Sequence, residues 1–491
     1  MTPQVKTIQG PTSGFGSGLV SGSSDRDDRD RLWFHGFCLL WASAVIFHQV
    51  SLKHVANTPV QLALTLTAAS LFVARPTLNR LLVLACLQIT EVMIYAPYLS
   101  NHWMLATTAN FILVGSALIE IPSGSFNRER IFARFAASAR LLVPVLYFWA
   151  VFHKLNAGFF NPDASCAGDL VAALGLPIPD AITGHLWVRW AAIWMTIFVE
   201  ALIPVLLLWS RTRTMGVLVG AFFHFIIGLS EYKPYYNFSS VLLALYFLYL
   251  SPDDVSRSWQ GLVRRPLAWL QENPFGRFIF FGAALSLAYV LAYLGVFGEY
   301  SRYYRLASVG LWVCYGLAFI VFVGFGVWQE RERFQVRTPT AWHLLRVPRR
   351  QLAIPALFFL NGTLPYLGGK TELALSMFSN LVTEEGRTNH YVVQEPLYLW
   401  PYQSKVVRIV ESSEPELERL RDSERGMVWF EFRDFMHRHP DASVTYQLGG
   451  ETFEVLRAGD DPAFVQPTPL WQRKLFLFRH PDLSPVSRCD H

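Results

Sequence analysis

Charge is scarce in this chain. Only 16% of its 491 residues are Asp, Glu, Lys or Arg, where a soluble protein carries about 25%. That shortage excludes an ordinary water-solvated globule. Cysteine is scarce too. The five cysteines, Cys38, Cys86, Cys166, Cys314 and Cys489, form no Cys-x-x-Cys pair, so neither a metal knuckle nor a dithiol motif is present and no metal is expected. The sequence also lacks a P-loop, an HExxH and a GxSxG motif. It has no internal repeat of the kind from which inverted-repeat transporters are built. Its first 33 residues hold no short apolar region followed by a small-residue cleavage site, so no cleaved signal peptide is read there. They are polar and Gly/Ser-rich, which predicts a disordered cytoplasmic lead-in.

What is abundant is apolar surface. Hydrophobic residues make up 52% of the chain and aromatics 15%, including 16 Trp and 38 Phe, a composition suited to lipid-facing and interfacial positions. A helix needs about 20 apolar residues to cross a bilayer. Runs near that length lie at 34–51, 60–74, 81–99, 104–121, 135–153, 186–209, 214–230, 238–250, 278–297, 307–328 and 352–368. The second and eighth are short. The expectation is an all-α polytopic membrane helical bundle of about 9–11 spans.

Basic residues give that bundle a direction. With the N-terminus cytoplasmic and all runs crossing, the inner loops hold Arg75, Arg80, Arg128, Arg130, Arg134, Arg211, Arg213 and the arginines of 257–277 and 331–350. The outer loops hold few cations, among them Lys53, Lys154 and Lys233, and the bias is about three to one. The basic residues thus read as topology determinants, and nucleic-acid binding has no support. Cys166 and Cys489 fall outside the spans, and the sequence neither supports nor excludes a disulfide between them. Beyond residue 369 the chain becomes charged, with strand-like runs at Lys405–Val410, Val444–Leu448 and Lys474–Phe478 and an amphipathic helix over Glu414–Arg438. This predicts a small extracytoplasmic α+β domain over 370–491, after a membrane domain at 34–250 and additional spans at 251–369.

Polar residues at membrane depth are costly and mark candidate sites. The first group is Phe152-His153-Lys154-Leu155-Asn156, ending the fifth run. Lys154 has two readings. It either snorkels to the interface or sits desolvated in an apolar cavity, where it would serve as a neutral general base. The second group is Asn101-His102-Trp103, in a tight turn, where a solvated turn histidine is the plainer alternative. The third is Phe222-Phe223-His224-Phe225 inside the seventh run, where a satisfied packing histidine is the alternative. By the parity of the runs, Lys154, His102 and His224 all fall towards the outer side. Glu91, Glu120 and Glu200 also lie within or beside spans, and Glu200 should face the bundle interior, paired or protonated. Gly216 and Gly220 form a GxxxG, read as close helix packing.

These groups, in this order, resemble the vitamin K-dependent gamma-carboxylase family and its bacterial members with the HTTM (horizontally transferred transmembrane) domain. The resemblance rests on the aromatic-rich stretch from Tyr147 to Asn156, on Phe159-Phe160-Asn161-Pro162 with Ser165-Cys166, on Asn101-His102, on Phe223-His224 and on the Pro365–Leu381 phrase. It implies a lyase that couples oxidation of a reduced naphthoquinone by oxygen to addition of carbon dioxide to an acidic substrate. In that scheme Lys154 is the base, His102 belongs to the carboxylation and oxygenation site, and His224 orients the quinone. Asn101, His153, Asn156 and Glu200 are supporting residues. The partners implied are membrane lipid, the quinone and a secreted or periplasmic peptide or protein, with the chain in a bacterial inner membrane. The animal enzyme has a lysine where His153 stands, and its large lumenal region is not matched by the tail here. The alternative is a non-enzymatic scaffold, lipid-binding protein or transporter that keeps the fold without carboxylase activity.

Overall fold

Short polar punctuation between the apolar runs sets where helices begin. The computed structural model describes residues 18–52, 54–124, 126–174, 179–230, 235–264, 275, 301–330, 347, 349–484 and 489. Helix α1 spans Gly18–Ser51. Helix α2 (Pro59–Val73) starts where the Thr58 side chain accepts the Gln61 N–H and Pro59 takes the first helical position, a favoured pairing of cap and proline. Thr77 caps α3 (Leu78–Tyr95) in the same way. Helix α4 is Asn101–Glu120, and Asn127 caps α5 (Arg128–Ala139).

Helix α6 (Leu142–Lys154) follows α5 after a two-residue break. Pro144 causes it, because it has no N–H for the carbonyl of Arg140. That carbonyl accepts the Tyr249 hydroxyl at 2.5 Å instead. Then come α7 (Cys166–Ala172), α8 (Asp180–Thr183), α9 (Leu186–Leu208), α10 (Arg213–Ile227), α11 (Tyr236–Phe247), α12 (Pro252–Ser258), α13 (Ser301–Glu330), α14 (Ala353–Asn361) and α15 (Leu364–Leu367).

Among the described residues, six helical stretches are long and apolar enough to cross a membrane: Asp25–Ser51, Leu78–Tyr95, Asn101–Glu120, Arg128–Lys154, Leu186–Leu208 and Ala307–Gln329. They mark a membrane-embedded helical protein. Three more apolar helices, α2, α10 and α11, are shorter. Helix α11 is buried on nearly every side and packs against α1, α4, α6, α10 and α13, so it forms the axis of the bundle. At the periphery α9 exposes Trp187, Trp194, Phe198 and Val205. Apolar exposure on that scale is unfavourable in water and expected against lipid.

Two membrane expectations change, and a third falls on residues that are not described. Of the 33 residues read as a disordered lead-in, 18–33 are helical and belong to α1, with the charged stretch 25–31 exposed or half-buried ahead of the apolar part, while residues 1–17 lie outside the described residues. The run at 352–368 is not one helix but breaks at Gly362 and Thr363 into α14 and α15. The run at 278–297 lies outside the described residues.

The C-terminal region carries a four-stranded antiparallel sheet in the order β2-β1-β3-β4, with β1 Val406–Ser412, β2 Met427–Val428, β3 Val444–Leu448 and β4 Glu451–Val455. Gly449 and Gly450, both at positive φ, make the two-residue β3–β4 turn, as the strand twist requires. Helices α16 (Pro415–Asp422) and α17 (Trp429–Arg438) cover one face, burying Leu417, Phe432 and Phe435 against Val407, Ile409 and Tyr446. The single helix expected over Glu414–Arg438 is therefore two, split by β2. Two short helices follow, α18 (Pro462–Val465) and α19 (Leu470–Leu475). The strand expected at Lys474–Phe478 is instead the end of α19 and an extended segment, whose residues pack on Tyr402 and Phe430 without pairing to the sheet. Strand β4 was not foreseen, because its residues are exposed apart from Val455.

Candidate functional site

The end of α6 is fixed from below. Asn156 donates to the carbonyls of His153 (2.7 Å) and Ser379 (2.5 Å), and accepts the Phe159 N–H at 2.8 Å. His153 faces the same segment, with Nδ1 2.9 Å from the Tyr366 hydroxyl and Nε2 3.2 Å from the Ala374 carbonyl. Both residues are fully buried, and neither is among the residues that line the cavity above them. They clamp the helix terminus to residues 366–390, whose irregular path includes Leu373, Leu375, Phe378 and Asn380 at positive φ. Asn380 extends the clamp by accepting the Cys166 N–H and donating to the Ala164 carbonyl. A disulfide joins Cys166, at the start of α7, to Cys489.

Above this clamp lies a cavity of about 840 Å³, lined by Lys154, Glu200, His102, Asn101 and His224 among mostly apolar side chains from α6, α7, α9 and α10. Three groups far apart in sequence thus meet in one place. Lys154 Nζ lies 3.0 and 2.8 Å from the two oxygens of Glu200 and 3.2 Å from the Ala150 carbonyl. Neither side chain of the pair is appreciably exposed. The lysine neither snorkels nor stands in a purely apolar cage: α9 brings a carboxylate to it, since an unpaired charge at this depth would be far more costly. Pro204, inside α9, has no N–H for the carbonyl of Glu200 four residues before it, so the helix is interrupted beside the ion pair.

His224 is held in the wall by Tyr147, whose hydroxyl is 2.7 Å from Nε2. The Tyr147 hydroxyl also makes a short hydrogen bond to that of Tyr246. Tyr147 precedes Lys154 by seven residues and so shares its face of α6. Ser239 Oγ lies 3.4 Å from the other ring nitrogen and donates to the His224 carbonyl at 3.0 Å. The close approach of Tyr246 depends on Gly220, where a Cβ would stand 2.6 Å from the tyrosine ring. Gly216 likewise lets α10 meet α9, a Cβ there falling 2.9 Å from the Leu207 nitrogen. The GxxxG is a packing device on two sides.

His102 lies in the first turn of α4. Its Nε2 is 2.8 Å from Nδ1 of His48 and 3.2 Å from the Ser100 hydroxyl. His48 is buried and stacks on Trp103, with centroids 3.6 Å apart and planes 7° from parallel. The Trp103 N–H donates to Glu91 at 3.0 Å, and Gln49 donates to the other Glu91 oxygen at 2.9 Å. Glu91 thereby ties α1, α3 and α4 together with both oxygens engaged. Two carbonyl oxygens, Asn101 Oδ1 and Asn237 Oδ1, are buried without a hydrogen-bond partner among the described residues, and both residues line the cavity.

The sequence pointed to Lys154, His102, His224, Asn101 and Glu200, and all five line this cavity. It did not single out His48, Tyr147, Tyr246 or Asn237. Helical spacing from Lys154 was the one signal available for Tyr147. Comparison with known families, with characterised proteins and with solved structures finds no match for this chain.

Proposed function

We propose that this chain is a membrane enzyme of the quinone-dependent carboxylase type, with the cavity around Lys154 as its site. The observation that carries the reading is the meeting of Lys154, Glu200, His102 and His224 in one largely apolar cavity of about 840 Å³, a size suited to a small lipophilic ligand. The fit of a reduced naphthoquinone rests on the same walls. Its ring needs apolar surroundings, and its two hydroxyls need acceptors, which Asn101 Oδ1 and Asn237 Oδ1 offer. When bound, it supplies with oxygen the oxidative chemistry that generates a base strong enough to take a carbon-bound proton.

This chain's residues would handle the protons. For Lys154 to take a hydroxyl proton it must first pass its own proton on, and Glu200, in contact through both oxygens, is the acceptor within reach. His224, backed by Tyr147, orients the ligand. His102 serves the carbon dioxide side. The apolar walls keep water from a strong base and a carbanion.

The orientation proposed has the N-terminus in the cytoplasm of a bacterial inner membrane, nine to eleven spans, and the cavity and C-terminal domain on the outer side. The arginine bias supports it, as does the Cys166–Cys489 disulfide, since such bonds persist in oxidising compartments.

The test is direct. Purified protein given a reduced naphthoquinone, oxygen and labelled bicarbonate should form quinone epoxide and fix label into an acidic peptide. Lys154→Ala should abolish both. Epoxide formation untouched by that substitution removes Lys154 from the mechanism. Its absence with every quinone tried leaves a non-enzymatic lipid-binding or scaffold protein that keeps the cavity.

A further inference from the structure

Two exposed apolar patches of the C-terminal domain are tied by hydrogen bonds to the ends of helices in the apolar part of the chain. The first is α19, which exposes Leu470 (68%), Trp471 (56%) and Leu475 (60%). Between them Lys474 reaches across to donate to the carbonyls of Met93 (3.3 Å) and Ile94 (2.8 Å), in the last turn of α3. Met93 and Ile94 are themselves exposed and belong to a helix long and apolar enough to span. The second patch is at Leu397 and Leu399, both exposed. The Leu399 and Trp400 N–H groups bond the Leu367 carbonyl at 2.9 and 3.2 Å, at the end of α15, beside α14 with its own exposed Leu357 and Leu360.

Hydrogen bonds of this length fix the height of each patch. Each patch therefore lies beside a helix end that has exposed apolar residues of its own nearby, Met93 and Ile94 for the first and Leu357 and Leu360 for the second. A soluble domain that merely hung from its last span would carry polar residues there. Leucine and tryptophan at that height, with lysine beside them, are the composition of a surface that lies in the lipid headgroup layer.

We infer that the C-terminal domain is seated on the bilayer through α19 and the 397–400 segment, whose side chains insert among lipids at the boundary of headgroups and acyl chains. The occupant is lipid. The hydrogen-bonded placement of both patches beside exposed apolar residues of α3 and α14, one of them a helix long and apolar enough to cross a membrane, argues for that over a soluble partner. The seat does not depend on any enzymatic reading of the cavity.

The experiment uses the full chain with Cys38, Cys86 and Cys314 changed to alanine, reconstituted in vesicles of phosphatidylcholine and phosphatidylglycerol. A nitroxide is attached singly at L470C, L475C, L399C or L456C. All four positions are exposed, so labelling leaves the core untouched. Leu456, next to β4 and not bonded to any helix end, is the reference for water. Collisions with oxygen should exceed those with a water-soluble nickel chelate at 470, 475 and 399, and the order should reverse at 456. Water-like accessibility at 470, 475 and 399 overturns the proposal. Spin–spin broadening between singly labelled molecules there overturns it as well, because it assigns the surface to a second copy of the chain.

Discussion

A charge placed where water is absent needs a permanent companion, and Lys154 has one in Glu200. Removing either partner strands the other, at a cost of about 3–5 kcal/mol. Lys154→Met and Glu200→Leu should each lower the thermal unfolding midpoint of the purified protein markedly, and the double variant should fall by much less than their sum. Additive losses would mean that the pair is not coupled. His48→Phe keeps a ring on Trp103 but removes the hydrogen bond to His102. If the cavity catalyses quinone oxidation, that loss should lower turnover about tenfold with little change in unfolding temperature. A different residue answers to pH. Glu431, on α17, accepts the Phe478 N–H at 2.7 Å, and burial pushes its carboxyl up to about 8. Between the ordinary carboxyl range and pH 8 the folded state therefore binds more protons than the unfolded state, so this group's contribution to stability declines as pH rises through that window. Glu431→Gln keeps the acceptor and drops the titration. The variant should match the parent near pH 4 and exceed it by up to a few kcal/mol near pH 8, as read from denaturant unfolding at the two pH values.

At the scale of helices and strands, composition and pattern carried far, and they failed where tertiary contacts decide. The ends of α3, α4, α9 and α10 lie close to the runs read from hydropathy, because length and apolar content are what a bilayer selects. The split of 352–368 was not legible, since Gly362 and Thr363 break the helix while the run stays apolar. Lys474–Phe478 is a short apolar run of the kind a strand carries, but it finds no partner strand. The site was legible as a set of costly polar groups on one side of the bundle, which gave Lys154, His102 and His224. Which partner each group meets was not legible, because Glu200, itself singled out, reaches Lys154 through helix packing rather than sequence proximity, as do His48 and Tyr246 at the histidines. Gly220 is where that packing is tightest. Gly220→Ala should force Tyr246 away from Tyr147 and destabilise the protein by about 1–3 kcal/mol, whereas Gly124→Ala, on an open surface at positive φ, should act only through its backbone strain. Equal losses accompanied by an unchanged Tyr147–Tyr246 contact would contradict this account.

For the molecule as a whole, the orientation proposed above makes a direct prediction. A reporter fused after the C-terminus should be active only outside the cytoplasm, and one fused before α1 only inside. The opposite pattern would reverse every statement about side. The bond between Cys166 and Cys489 closes a ring across 323 positions of sequence, threading α7 to α19 and the sheet into one loop of chain. That makes more than half of the protein indifferent to a single break. A protease cut at any accessible turn between those two cysteines leaves one covalent piece until a reductant is added, so the chain can be nicked on its exposed side and still keep its two ends together.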